Sequence, residues 1–314
     1  MASLRQIRRR MKSIESIHEI TKAMEMIAAF RFKRAEGRFS RLKIYTGEME
    51  GLVSNLSKDA GESADPLFEK RQVRRKTLVV MTGDKGLCGA YNANLLKAAA
   101  AWLKTAGGAE TALVAVGKVG ADFFKKKRLN VALAIPEKSS ADLTLAGRIT
   151  AELRQLFLSG GSDSVELLYT TARAGGPGRN VIVPFLGLNY LLEKNKASAP
   201  PPPRNADGPV PLPTQYGSVL LKQAEKRAGE DYIYEPGFES VFMSLVGKYL
   251  EGKLYLCLLE SLTSETAARM VAMKQATENG EEVLDHLRLL RNKTRQATIT
   301  RELSEIVNGA SVLV

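Results

Sequence analysis

Apolar residues recur every three or four positions from the start of the chain: Leu4, Ile7, Met11, Ile14, Ile17, Ile20, Met24 and Ile27. That spacing is one face of an α-helix. Ser3-Leu4-Arg5-Gln6 supplies a capping box to open it. The mean step is about 3.3, shorter than the 3.5 of a straight heptad seam, so the stripe should wind and meet more than one surface. The periodicity predicts a helix to about residue 56, roughly 80 Å long. Gly37, Gly47 and Gly51 weaken its second half.

The pattern changes at Asp65-Pro66. Short β-branched runs then alternate with helical windows. Strands are predicted at 77–82, 111–116, 131–135, 165–170 and 180–185, with helices at 88–104, 118–126 and 141–158. Continuous apolar strands separated by helices predict a doubly wound, mainly parallel sheet of Rossmann-like type. Gly175-Gly176-Pro177-Gly178 reads as a hairpin or strand connection. Residues 197–213 hold seven prolines and read as an extended surface insert.

From Phe238 the pattern is helical again. Phe242, Val246, Leu250, Leu254, Leu258 and Leu262, spaced by four, form a face able to pack on the sheet. Further on, Ile299, Leu303, Ile306, Ala310 and Leu313 are spaced 4-3-4-3, as a helix-pairing seam requires. A single helix over 239–312 would be roughly 110 Å long. Gly247, Gly252 and Asn279-Gly280 are possible bends.

Proline placement supports this reading. All twelve prolines lie between Pro66 and Pro236, and an interior proline costs a helix about 3 kcal/mol. The expected organisation is therefore a shaft helix over 1–65, an α/β foot over 66–237 and a second shaft helix over 238–314. Antiparallel pairing of the two terminal helices is the simplest way to bury both stripes. The far tip carries more stripe than one helix can cover, so something outside the chain should surround it.

Charge changes the picture in one place. The chain carries 46 basic and 34 acidic residues, a net +12. Residues 1–43 hold twelve Lys/Arg against four Glu, or +8. No apolar stretch follows the early arginines, which argues against a cleaved signal. Lys125-Lys126-Lys127-Arg128 reads as a solvated charge run, without the aromatic residues that single-strand binding requires. The longest apolar runs, such as 254–259, are too short to span a bilayer.

Candidate chemistry is sparse. Cys88 and Cys257 give no metal cluster and no disulfide framework, and Cys257 reads as core. His18 and His286 read as solvated positions on charged helices. Gly83-Asp84-Lys85-Gly86-Leu87-Cys88-Gly89 lies between a strand and its helix, where backbone amides can meet a phosphate. Its G-x-x-G-x-x-G spacing matches neither the dinucleotide fingerprint nor the P-loop. Gly83, Gly86, Cys88 and Gly89 therefore read as a structural βα turn. A nucleotide-dependent enzyme with a Rossmann-like core is the alternative that this turn keeps open. A nucleic-acid or membrane-surface binder built on residues 1–43 is another. No paired carboxylates, Ser-His-Asp order or metal spacing is found, and no cofactor is expected.

Four segments carry a family resemblance. They are Ile20-Thr21-Lys22-Ala23-Met24-Glu25-Met26-Ile27-Ala28-Ala29, the turn from Gly83 through Asn92, Tyr232-Ile233-Tyr234-Glu235-Pro236, and the stretch from Glu265 through Lys274 on to Arg295–Val307. In this order they resemble the γ subunit of F-type ATP synthases. The resemblance implies a non-catalytic central rotor shaft, one copy per complex. Its helices would turn inside an α3β3 ring. Its foot would sit on a membrane c-ring beside an ε subunit, at the cytoplasmic face of a bacterial inner membrane. Membrane contact would be only through the c-ring, and nucleic acid would play no part. By resemblance Met24 lies near a lever loop of β, while Arg295, Gln296, Thr300 and Glu302 form a polar catch against β loops. Ile306, Val307, Val312 and Leu313 would be the bearing tip. Phe30-Arg31-Phe32 is bulkier than the family norm, and the proline-rich insert looks longer than in compact members. The regulatory cysteine pair of chloroplast members has no counterpart. Deleting 199–213 should leave assembly with α and β intact on native gels; failure to assemble would refute the linker reading.

Overall fold

The capping box opens the first helix. Gln6 N donates to Ser3 Oγ at 3.3 Å, and Ser3 N donates to Gln6 Oε1 at 3.0 Å. Helix α1 then runs unbroken over Leu4–Ala60. The structure is a computed structural model describing residues 3–60, 66–69, 71–105, 109–138, 141–173, 178–188, 235 and 237–312; for 58–60, 305 and 307–312 it describes the backbone. The proline-rich stretch 197–213 and Tyr232–Tyr234 lie outside these residues.

After a 3-10 turn at Pro66–Phe68 the chain alternates strand and helix. The order is β1 (Arg75–Met81), α2 (Tyr91–Thr105), β2 (Glu110–Val116), α3 (Lys118–Lys126), β3 (Val131–Ile135), α4 (Leu143–Leu158), β4 (Ser164–Thr170) and β5 (Asn180–Leu186). The long final helix, α5, spans Phe238–Val312. Each expected element forms, with ends shifted by a few residues. The largest shift is at the end of α1, which runs to Ala60, and α2 starts late, at Tyr91, because Gly83–Gly89 stays a turn.

The sheet order is β3-β2-β1-β4-β5. β1 pairs in parallel with β2 and β4, and β2 with β3. β5 is antiparallel to β4, as a short glycine connection permits and a parallel crossover would not. Alternate residues of β1 feed two cores. Leu78 and Val80 pack under α2 and α3 with Leu95, Trp102 and Phe124. Val79 and Met81 face the other way, onto a larger core built from α4, α5 and the end of α1. Phe242, Val246, Leu250, Leu254 and Leu258 are fully buried there, so the face spaced by four does pack on the sheet.

Two turns show why particular residues stand where they do. A Cβ on Gly117 (φ 99°) would meet Thr82 O at 2.3 Å, and Thr82 Oγ1 accepts from Gly120 N at 2.9 Å. Helix α3 ends in a Schellman turn, with Leu129 N on Phe124 O and Arg128 N on Lys125 O. Arg128 occupies the left-handed position (φ 55°) where glycine is favoured, at a cost of roughly 1 kcal/mol. Gly117→Ala should lower stability by about 2 kcal/mol or more in urea unfolding; an unchanged midpoint would contradict the close approach.

Candidate functional site: the helix pair and its lock to the body

Cross-contacts fix the two long helices as antiparallel. Ile7 and Met11 pack on Leu287. His18 lies against Gly280, and Tyr45 and Thr46 lie near Gly252. Thr277 Oγ1 meets Thr21 Oγ1 at 3.0 Å. Arg38 Nη2 donates to Tyr255 OH at 2.6 Å.

The inward positions of α1 step by four and three: Ile7, Met11, Ile14, His18, Thr21, Glu25, Ala28, Phe32 and Ala35 are buried or half-buried. On α5 the facing positions are Thr263, Thr266, Met270, Met273, Thr277, Gly280, Leu284 and Leu287. Both sets keep a 3.5-residue period, that of a coiled coil. The apolar stripe read from the sequence follows this seam only as far as Ile14. Its shorter step then carries it off the seam, leaving Ile17 49%, Ile20 56% and Ile27 55% exposed. Small and polar residues take the vacated positions. His18, expected to be solvated, is one of them and is half-buried; His286 is exposed as expected.

The helices also differ in reach. Leu287 already faces the first turns of α1. The remainder of α5, from about residue 295, overhangs by roughly 27 Å. Among the described residues nothing in the chain covers this overhang. Ile299, Leu303 and Ile306 are exposed, Ile306 at 68%. Their 4-3 pattern sits one residue off the continuation of the seam, a rotation of about 100°. The expected second seam therefore has no partner helix within the described chain.

The residues expected to touch a partner separate into two levels. Met24 is half-buried beside the seam. Arg295, Gln296, Thr300 and Glu302 are exposed on the overhang, with Thr300 Oγ1 donating to Gln296 O at 3.0 Å. The levels lie about 30 Å apart along the axis, so the structure does not bring them together. Val307 and Val312 lie within α5, and Leu313 lies outside the described residues.

The glycine turn proves to be the joint between body and shaft. Lys138, after β3, is fully buried, and its Nζ lies 2.9 Å from Glu265 Oε2. Lys138 Nζ also donates to Ser261 Oγ at 3.1 Å and to Tyr91 OH at 3.4 Å. Its backbone N–H is held by the Asp84 carboxylate at 3.0 Å. Arg269 Nη2 donates to Glu265 Oε1 at 2.8 Å and to Gly86 O at 3.3 Å. Ser261 Oγ donates to Met81 O at 3.2 Å. Three elements of the body thus grip one stretch of α5, from Ser261 to Arg269.

The turn needs its glycine for this grip. A Cβ on Gly83 would lie 2.9 Å from the Glu265 carboxylate carbon. Gly83 N donates to Asn92 Oδ1 at 2.8 Å, and Cys88 is buried. A phosphate placed here would meet a carboxylate over Gly83 and find that amide occupied. That disfavours the nucleotide-binding alternative on geometry. Sequence reasoning missed Lys138, Ser261 and Asp84, because an isolated lysine after a strand carries no motif.

Burial disfavours the charged form of each partner. Burial pushes Glu265 up, but the Lys138 ammonium and the Arg269 guanidinium outweigh it and hold the carboxyl below its usual range. Burial pushes Lys138 down, but the Tyr91 oxygen and the Glu265 carboxylate outweigh it and raise the amine. The Glu265 contribution is therefore present above about pH 4.5 and is lost as pH falls through the depressed folded value. The Lys138 contribution is present below about pH 10.5 and is lost as pH rises through its raised one.

A doubly wound body locked to an antiparallel two-helix shaft, with one helix running free beyond the other, is the architecture of a stalk. The ATP synthase family model matches residues 3–313. The chain is 36% identical to the ATP synthase gamma chain of Chlorobaculum parvum, covering all of this chain and 99% of that one. It is 35% identical to the gamma chain of Heliobacterium modesticaldum over the full length of both. In fold it is similar to a chain of the Euglena gracilis mitochondrial ATP synthase OSCP/F1/c-ring structure, with TM-score 0.64 and 17% identity over 99% of this chain and 94% of that one. It is also similar to a chain of the Tetrahymena thermophila central stalk and c-ring structure, with TM-score 0.53 and 22% identity over 82% of this chain and 99% of that one. The chain belongs to the ATP synthase γ chain family.

The lock yields a double-mutant test. Glu265→Gln or Lys138→Met alone should each cost about 3–5 kcal/mol in urea unfolding, because each strands a buried charge. Glu265→Gln should also flatten the acid limb of the stability profile. The pair Lys138→Met/Glu265→Met should regain much of the loss. Additive losses would show that the two groups do not act as a pair.

Proposed function

We propose that this chain is the non-catalytic central stalk of an F1Fo ATP synthase, one copy per complex. It turns inside an α3β3 ring and couples ion flow through a membrane c-ring to nucleotide chemistry on the β subunits. Its body rests on the c-ring beside an ε subunit, at the cytoplasmic face of a bacterial inner membrane. Among the described residues no helix is long and apolar enough to cross a membrane, which fits a peripheral place.

The observation that carries this reading is the outward turn of the apolar stripe. Isoleucines at 17, 20 and 27, with Phe30 and Val271 on the same stretch of shaft, are exposed on a helix pair that could have buried them. Burying such a side chain is worth roughly 1.5–3 kcal/mol, so a surrounding partner gains what the pair forgoes. The shaft is also asymmetric, with two helices at one level and one at the next. Identical sites around it can be driven to different states only by contacts that differ between them. A winding apolar ridge and an off-axis tip supply such contacts.

Torque then follows a short path. The lock binds α5 to the body between Ser261 and Arg269, and α5 continues without a break to the tip. Rotation of the body therefore turns the tip. Arg295, Gln296, Thr300 and Glu302 form the polar catch against β loops. Exposed polar pairs are worth about 0–1 kcal/mol each, weak enough to be released at every step. Ile306, Val307, Val312 and Leu313 turn in an apolar bearing.

Met24→Lys tests the assignment. The new cation beside the acidic lever of β should weaken ATP-driven ion pumping several-fold while hydrolysis continues. Pumping at wild-type efficiency per ATP would contradict the contact.

A further inference from the structure

Lys138 and Ala141 are the two ends of a hydrogen-bonded turn, with Ala141 N donating to Lys138 O at 2.9 Å. Asp142 follows as the N-cap of α4, its carboxylate accepting from Leu145 N at 2.8 Å, so the turn belongs to the body. Its first end holds α5, through Lys138 and Glu265. Its last end holds α1. The carbonyl of Ala141, a fully buried residue, accepts from Arg38 Nη2 at 2.8 Å. The same nitrogen donates to Tyr255 OH on α5 at 2.6 Å, and the guanidinium carbon lies 5.9 Å from the centre of the Tyr255 ring. One side chain of α1 therefore joins both the body and α5, at the turn whose lysine already locks the other shaft helix.

Arg38 stands at a particular level of the shaft. Below it, Phe39, Leu42, Met49, Val53 and Leu56 pack α1 into the larger core. Such contacts adhere but have no preferred direction, so they tolerate rotation. Above it, the seam passes Ala35, Ala28, Thr21 and His18. The outward ridge begins on that upper stretch, with Phe30 about 12 Å from Arg38 along the axis. Arg38 thus sits where α1 leaves the core and before it presents the ridge. Hydrogen bonds weaken steeply with angle. Two acceptors on separate elements therefore fix the direction of the side chain, and with it the turn of α1 about its own axis. A planar guanidinium serves a carbonyl and a phenol from one nitrogen, a fork that an ammonium on a flexible stem does not reproduce.

We propose that Arg38 is the positioning residue that sets the rotational angle of α1 against the body, so that one turn of the chain, from Lys138 to Ala141, drives both shaft helices. The inference rests on the stalk reading, in which the ridge on α1 and the catch on α5 both push on the ring. Lys138 and Glu265 alone would turn α5 and leave α1 to follow through the seam. With Arg38 engaged, α1 takes torque from the body directly, and the ridge keeps a fixed angle to the catch.

The test uses the membrane-bound complex, with ATP-driven ion pumping and ATP hydrolysis measured on the same vesicles. Arg38→Met keeps the stem and removes both donors. Losing a hydrogen bond from a charged group raises the released population about tenfold or more, so α1 amides between Phe32 and Thr46 should exchange with solvent about tenfold faster. Pumping per ATP should fall several-fold, while hydrolysis by the soluble complex with α and β continues at the wild-type rate. Arg38→Lys and Tyr255→Phe, which each leave one acceptor served, should fall between Arg38→Met and wild type. Adding Thr21→Cys with Thr277→Cys and oxidising pins α1 to α5 again, and should restore pumping per ATP in Arg38→Met. Wild-type pumping per ATP in Arg38→Met, whether or not exchange quickens, overturns the proposal by reducing Arg38 to a packing role. So do pumping and hydrolysis that fall in proportion, or a crosslinked Arg38→Met that stays uncoupled. A wild-type chain that assembles no complex capable of ATP-driven pumping counts against the stalk reading instead.

Discussion

A seam of period 3.5 between two antiparallel helices governs the rest of this molecule. Where the seam passes Ala28, Thr21 and Gly280, small side chains let the helices approach closely. The bulkier Ile17, Ile20 and Ile27 have no place there and turn outward. A helix pair built for its own stability would put isoleucine inside and alanine or threonine out. Here the preference is inverted between Ile17 and Ile27. The shaft therefore holds itself together with modest contacts and keeps its strongest apolar groups for an outside surface.

A shaft of this kind transmits rotation only if the body cannot slip on it. Apolar packing of Phe242 to Leu258 on the sheet supplies adhesion but little angular definition. The buried Lys138–Glu265 pair adds direction, because an ion pair and its hydrogen bonds hold only in a narrow geometry. Its placement at the upper end of the body, beside Arg269, sets the grip where the helix pair leaves the sheet. Asp84 and the glycine turn complete it, so a motif that suggests phosphate chemistry in isolation serves a mechanical end.

Much of this was legible in the sequence. Proline-free termini, the capping box and the alternation of apolar runs give the two long helices and the strands. The glycine turn at 175–178 reads equally as a hairpin or another strand connection, and only the pairing of β5 with β4 makes it an antiparallel edge. The seam itself was harder to read. Hydrophobicity marks Ile17, Ile20 and Ile27 as inward, and only the partner helix reveals that the inward positions are His18, Thr21 and Ala28. The lock was invisible for a related reason. Lys138 and Glu265 are distant in sequence, and a charged residue carries no sign of burial until its counter-ion is placed.

The central claim is that α1 and α5 turn as one body with the sheet locked to them. Thr21→Cys with Thr277→Cys tests it directly, since the two hydroxyls already meet at 3.0 Å. Oxidation in the assembled complex should give a near-complete crosslink within the chain, and ATP-driven rotation of a probe on the body should continue at the unoxidised rate. Rotation that stops on oxidation and resumes on reduction would mean that the helices move against each other during the cycle, and the single-axle account would fail.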